Sequence, residues 1–137
     1  MMRRLLLWYQ MGIAISDSGT GILLLIAPLY TLHKLNLSAP DSSAIYLSWI
    51  GVFVASVGLA CAYGARLMLC RGCSNRLETV RLLTAFTRGM VAAFLFAKIA
   101  SANLPSGWCT VALFDGACAC LQAIALRRGW LKHAFSE

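Results

Sequence analysis

Residues 81–129 read RLLTAFTRGMVAAFLFAKIASANLPSGWCTVALFDGACACLQAIALRRG, two long apolar runs around a short break, each with one ionisable residue far from its ends. Arg88 sits inside the first run and Asp115 inside the second. A third such residue, Asp17, sits inside MGIAISDSGTGILLLIAPLY, residues 11–30. Runs of about 20 apolar residues are what a hydrocarbon layer roughly 30 Å thick requires of a helix rising 1.5 Å per residue. The two runs therefore read as membrane-crossing helices, and three charges are expected near mid-membrane.

The rest of the chain agrees. It has 137 residues, 60% of them hydrophobic and 12% charged, with a mean hydropathy of +0.74. A soluble domain of this length is rarely so apolar, which excludes a soluble catalytic domain and leaves one membrane domain spanning 1–137. The fold class expected is all-α, an up-down bundle of four transmembrane helices at roughly 5–32, 42–69, 76–103 and 107–128. The net charge of +7 does not indicate a nucleic-acid partner, because most basic residues flank the apolar runs and form no basic face.

In the first helix, Trp8 and Tyr9 mark one interface and Tyr30 the other. Gly12, Ser16, Gly19 and Gly21 are small enough to let another backbone approach, and Pro28 should kink or loosen the last turn. The basic start followed by an apolar run imitates a signal peptide, but without a small-residue cleavage site it reads as an uncleaved helix. Asp41 or Ser42 can cap the second helix just after Pro40, and its Gly51, Ala55, Gly58 and Ala62 make a smooth, uncharged packing face. Asn75 and Glu78 have capping-box spacing at the start of the third helix, and Pro105 stops it. Ser106 can cap the fourth helix and Gly129 can end it.

Arg3, Arg4, Arg66, Arg71, Arg76, Arg81, Arg127, Arg128 and Lys132 collect on one side, with Lys34 and Lys98 toward the other. By the positive-inside rule both termini are expected in the cytoplasm, with the chain in the cell's inner (plasma) membrane. Measured from that interface, Arg88 lies about 10 Å deep, Asp17 about 14 Å and Asp115 about 18 Å, a spread that an arginine side chain can bridge. An isolated charge at the centre costs about 2.5–3.5 kcal/mol on insertion scales, so the three should face inward and satisfy one another.

Two readings of this cluster stand side by side. It is either a structural ion pair that sets helix packing, or a ligand- or proton-binding site formed by Asp17, Arg88 and Asp115 with Ser16 and Gln122 as hydrogen-bond partners. Two carboxylates for one guanidinium leave a net charge of −1, so one of them can carry a proton or meet a cationic or polar ligand. The hydroxyls around Asp17 can instead bond their own helix carbonyls. Cys70 and Cys73 have redox or metal spacing beside arginines, yet one such pair is half of a four-ligand zinc site. They are weak candidates for a metal, and on the cytoplasmic side their thiols should stay reduced. No catalytic residue and no cofactor is expected.

The Gly-rich first helix ending in IAPLY, the arginine within LLTAFTRGMVAAFLF and the aspartate within ALFDGACACLQAIALRR resemble the DoxX-like group of small bacterial membrane proteins. That resemblance covers most of the chain and implies membrane location and a four-helix fold more than any activity, although some members accompany quinone-linked oxidoreductases. It carries over no catalytic residue. Small multidrug-resistance transporters also have four helices and an acidic residue in the first, which Asp17 could mimic. They tolerate charges poorly in the last two helices and rely on weak charge bias, whereas this chain is strongly biased.

The function expected is a noncatalytic membrane module binding a small or lipidic ligand, or a partner helix, at the Asp17, Arg88 and Asp115 cluster. Expected partners are the lipid bilayer and a membrane protein or second copy of the chain, with no nucleic acid. The alternatives are a proton-coupled small-molecule transporter using Asp17 or Asp115, and a thiol redox protein using Cys70 and Cys73. On a background without native thiols, Ser38→Cys and Ser106→Cys should react with an impermeant reagent added outside cells, and Ser74→Cys only after the membrane is opened. The reverse pattern would overturn the orientation.

Overall fold

The computed structural model describes residues 2–37, 39–70 and 73–130. These residues form five α-helices and two single 3-10 turns, with no strand among them. Helix α1 spans Met2–Ile26 and α2 spans Pro28–Lys34. The longer helices that follow are α3 (Ala44–Leu69), α4 (Ser74–Ala100) and α5 (Cys109–Arg127). Three segments are long and apolar enough to cross a membrane: Asp41–Leu69, Ser74–Ala100 and Ser106–Arg127. Helix α1 has a comparable 25 residues, but Ser16, Asp17, Ser18, Thr20 and three glycines dilute its apolar character.

The expected first helix is broken at Ala27, whose φ of −140° leaves the helical region immediately before Pro28. Proline disfavours helical backbone in the residue before it, and its ring then starts α2 at the first position, where no N–H is needed. Other predicted ends are corrected. The 3-10 turns Asp41–Ser43 and Ser106–Trp108 lead into α3 and α5 without side-chain caps from Asp41, Ser42 or Ser106. The capping box is also absent, since α4 begins at Ser74 with no side-chain cap. Gly129, with φ of +61°, does end α5 as expected.

The bundle runs up and down. Leu6, Leu67, Met68 and Leu77 cluster with Leu126 and Trp130 at the end that holds both described chain ends. Leu24, Leu32, Leu37 and Leu47 cluster with Trp108 and Val111 at the opposite end. Helix α1 lies along α3, and α4 lies along α5, while α3 meets α4 less extensively. The fold is thus two helix pairs placed side by side.

The distribution of polarity is inverted relative to a water-soluble bundle. Trp8, Ile15, Ile26, Trp49, Phe53, Leu83, Phe86 and Phe94 are exposed on the outside, whereas Gln10, Arg81, Arg88 and Gln122 are buried. Lipid-facing helices need apolar exteriors, and their mutual packing relies on small residues and interior polar contacts.

The α1–α3 seam shows that packing directly. A Cβ added at Gly51 would stand 2.7 Å from the Gly21 carbonyl oxygen and from the Leu25 nitrogen. One added at Gly21 would meet the Ala55 backbone, and one at Gly58 the Ser18 backbone. Backbone atoms cannot rotate away, so any side chain here forces the helices apart. Gly12 and Gly19, on the same helix α1, have nothing within 4 Å. Gly21→Ala and Gly58→Ala should therefore each destabilise by about 1–3 kcal/mol. Gly12→Ala and Gly19→Ala should be neutral or stabilising by up to about 1 kcal/mol, from helix propensity alone. Thermal unfolding of the four variants in detergent checks the contrast.

Candidate functional site

Three helices from both pairs meet at one side chain. Arg88 of α4, only 3% exposed, points its guanidinium toward α1 and α5. Its Nη1 donates to Asp115 Oδ1 of α5 at 2.6 Å, and its Nη2 donates to Asp17 Oδ2 of α1. The Phe114 ring centroid lies 5.8 Å from the same guanidinium. A planar fork with fixed donors suits two separate carboxylates better than a flexible ammonium would, because each donor can serve one partner.

The two carboxylates are not equivalent. The Asp17 side chain is 10% exposed and that of Asp115 is 18% exposed, so Asp115 is the more open of the pair. With all three groups ionised the cluster carries −1, and Arg88 Nε is buried without a partner. Cys61 and Cys118 pack with Ile13 and Ala14 in the apolar layer next to it.

The structure brings Asp17, Arg88 and Asp115 together and separates the other two expected members. Ser16 is exposed and outside the cluster. Gln122 is 1% exposed, but its Oε1 accepts a hydrogen bond from Thr84 Oγ1 at 3.3 Å and makes none with Asp115. It belongs to a second polar layer that the sequence reading missed. In that layer Gln10, fully buried, donates from Nε2 to the Cys61 carbonyl at 3.2 Å. Arg81, expected at the cytoplasmic interface, is instead 1% exposed, and its Nη2 lies 3.7 Å from Met68 Sδ.

A signal for this layer was present in the spacing. Gln10 and Asp17, Arg81 and Arg88, and Asp115 and Gln122 are each seven residues apart, about 10 Å along a helix and nearly two full turns. Each helix that gives a residue to the Arg88 layer therefore gives a second to the layer below.

The cysteine motif supplies no such convergence. Cys70 is exposed and Cys73 half-buried, and Arg71 and Gly72 between them lie outside the described residues. Among the described residues no three His, Cys, Asp or Glu side chains gather where a metal could be held. Comparison of the chain with protein-family models, curated proteins and solved structures finds no match.

The geometry is a one-to-two bridge, and this sets the expected energetics. Removing Arg88 strands two carboxylates, whereas removing one aspartate leaves Arg88 paired one to one with the other. Arg88→Leu should cost about 3–5 kcal/mol, the range for breaking a buried pair. Asp17→Asn or Asp115→Asn alone should cost clearly less. Arg88→Leu with Asp115→Leu should recover only part of the loss because Asp17 remains stranded, and adding Asp17→Asn should recover most of it. Thermal unfolding of this variant set decides, and strictly additive losses would mean that the three side chains do not interact.

Proposed function

We propose that the protein is a noncatalytic integral membrane module of four spans, with both ends in the cytoplasm. It holds a small or lipidic ligand, or a partner helix, against the Asp17, Arg88 and Asp115 cluster. In this reading α1 is the fourth span, carried across by burying its one mid-helix charge against Arg88. The resemblance to the DoxX-like group rests on the same helices and is part of the proposal.

The observation that carries it is the unequal pairing. Two carboxylates share one guanidinium, which leaves −1 when all three groups are ionised, and Asp115 is the more exposed of the two. Ionisable residues within a membrane protein mark ligand or ion paths by default. A mostly apolar groove of about 420 Å³ between α4 and α5, lined by Leu82, Phe86, Ala119, Ala123 and Arg127, lies on the same helix pair but touches none of the three cluster residues.

The same surplus carboxylate favours the second reading, proton-coupled transport with Asp115 or Asp17 carrying the proton. Two measurements separate them. Native-lipid purification followed by mass spectrometry should find a molecule retained by the wild type and depleted in Asp115→Asn, which keeps the Arg88–Asp17 pair. Identical contents in both would overturn the binding reading. Solute uptake into proteoliposomes that follows an imposed pH gradient, and is lost in Asp115→Asn, would establish the second.

A further inference from the structure

The lower polar layer differs from the upper one in its charge balance. Arg81 is buried to 1% exposure and makes no ion pair among the described residues. Of the five acidic residues, Asp17 and Asp115 are held by Arg88, and Asp41 is exposed at the opposite end of the bundle. Glu78, one turn before Arg81, makes no salt bridge with it, and Glu137 lies outside the described residues. Among the described residues, the hydrogen-bond acceptor that Arg81's side chain meets is the Met68 thioether, a weak one.

Among the described residues, three atoms of this layer are buried with no hydrogen-bond partner: Arg81 Nε, Gln122 Nε2 and Gln10 Oε1. They come from α4, α5 and α1; Thr84 joins Gln122 across α4 and α5, and Gln10 bonds α3. Gly64 of α3 keeps room for Gln10, since a Cβ there would stand 2.8 Å from Gln10 Nε2. Leaving a buried polar atom unpaired costs about 1–3 kcal/mol, and more for a charged group, so a ligand that pairs these three is bound favourably.

We infer that the Gln10, Arg81 and Gln122 layer binds an oxyanion of the phosphate class that carries an O–H. Its ionised oxygens accept from Arg81 and from Gln122 Nε2, and its hydroxyl donates to Gln10 Oε1. Gln10 is oriented for this role, because its Nε2 must face the Cys61 carbonyl and its Oε1 is therefore the free end. Charge and donor type both favour an oxyanion, since arginine and amide N–H groups donate short, strong bonds to ionised oxygens. In the four-span orientation Arg81 lies near the cytoplasmic boundary, the side that holds both free phosphate and the headgroups of inner-leaflet lipids such as phosphatidic acid. This site is separate from the Arg88 cluster and stands whether or not that cluster binds anything.

Thermal unfolding of the full chain in nanodiscs tests it, with ionic strength held constant by chloride. Potassium phosphate added to phosphatidylcholine discs, or phosphatidic acid within the discs, should raise the unfolding midpoint. A rise with phosphate assigns a soluble anion, and a rise with phosphatidic acid alone assigns the headgroup. Sulfate, which has the shape and charge but no O–H at neutral pH, should give a smaller rise than phosphate in the first case. Arg81→Met and Gln122→Leu should each weaken the response on the order of tenfold or more, as loss of a charged or amide donor to an ionised group implies. Arg127→Gln with Arg128→Gln, exposed arginines, should leave it intact. If Arg81→Met fails to fold, Gln122→Leu alone decides. No rise from either source, or a rise that survives Gln122→Leu, overturns the inference.

Discussion

A single guanidinium shared by two carboxylates on two other helices is the contact on which the arrangement of this bundle depends. Helix α1 is packed on α3 through glycine, and α4 on α5, but these pairs meet each other less extensively. Arg88 reaches from one pair to Asp17 of the other while also holding Asp115 of its own. Because a stranded charge in low dielectric is costly, the bridge admits only relative placements of the two pairs in which all three side chains converge. It thereby ties α1 to α4 at one axial position.

That constraint makes sense of the inverted polarity. In lipid there is little gain from burying leucine, so helix association relies on close backbone approach and on polar groups that have nowhere else to go. The α1–α3 seam supplies the first, with Gly21, Gly51 and Gly58 each against the facing backbone. The contacts between the pairs supply the second, through long side chains that span a wider gap. The two devices are complementary. Small residues bring α1 and α3 together, and Arg88 spans the gap between the two pairs.

The sequence revealed most of this where the signal was a length or an isolated charge. Apolar runs of spanning length marked the long helices, Pro28 marked the break after Ala27, and Gly129 marked the end of α5. Arg88, Asp17 and Asp115 were found because each is conspicuous inside an apolar run. Arg81 was misread for the opposite reason. It follows Arg71 and Arg76 in a basic stretch, and charge counting cannot tell a headgroup-facing arginine from one that α4 turns inward. Gln10 and Thr84 were overlooked because uncharged polar residues near a helix end are common. The caps failed because short 3-10 turns at Asp41–Ser43 and Ser106–Trp108 lead into the helices without side-chain partners. Capping residues in a sequence mark a possibility that the local backbone need not use.

The seven-residue offset between the polar layers also explains how one bundle tolerates so many buried charges. A repeat of seven is close to two helical turns, so a residue and its heptad successor both face the same seam, here toward the centre. The upper layer, with two aspartates and one arginine, carries −1, and the lower, with Arg81 and two glutamines, carries +1. At about 10 Å apart and an effective dielectric of about 20, opposite unit charges attract by about 2 kcal/mol. With all groups ionised this attraction favours both layers, yet at that distance each stays locally unbalanced. Helix α3 faces both layers and contributes no charge to either. What it contributes instead is a carbonyl at Cys61, a thioether at Met68 and the space above Gly64, all groups that accept polar contacts without adding charge.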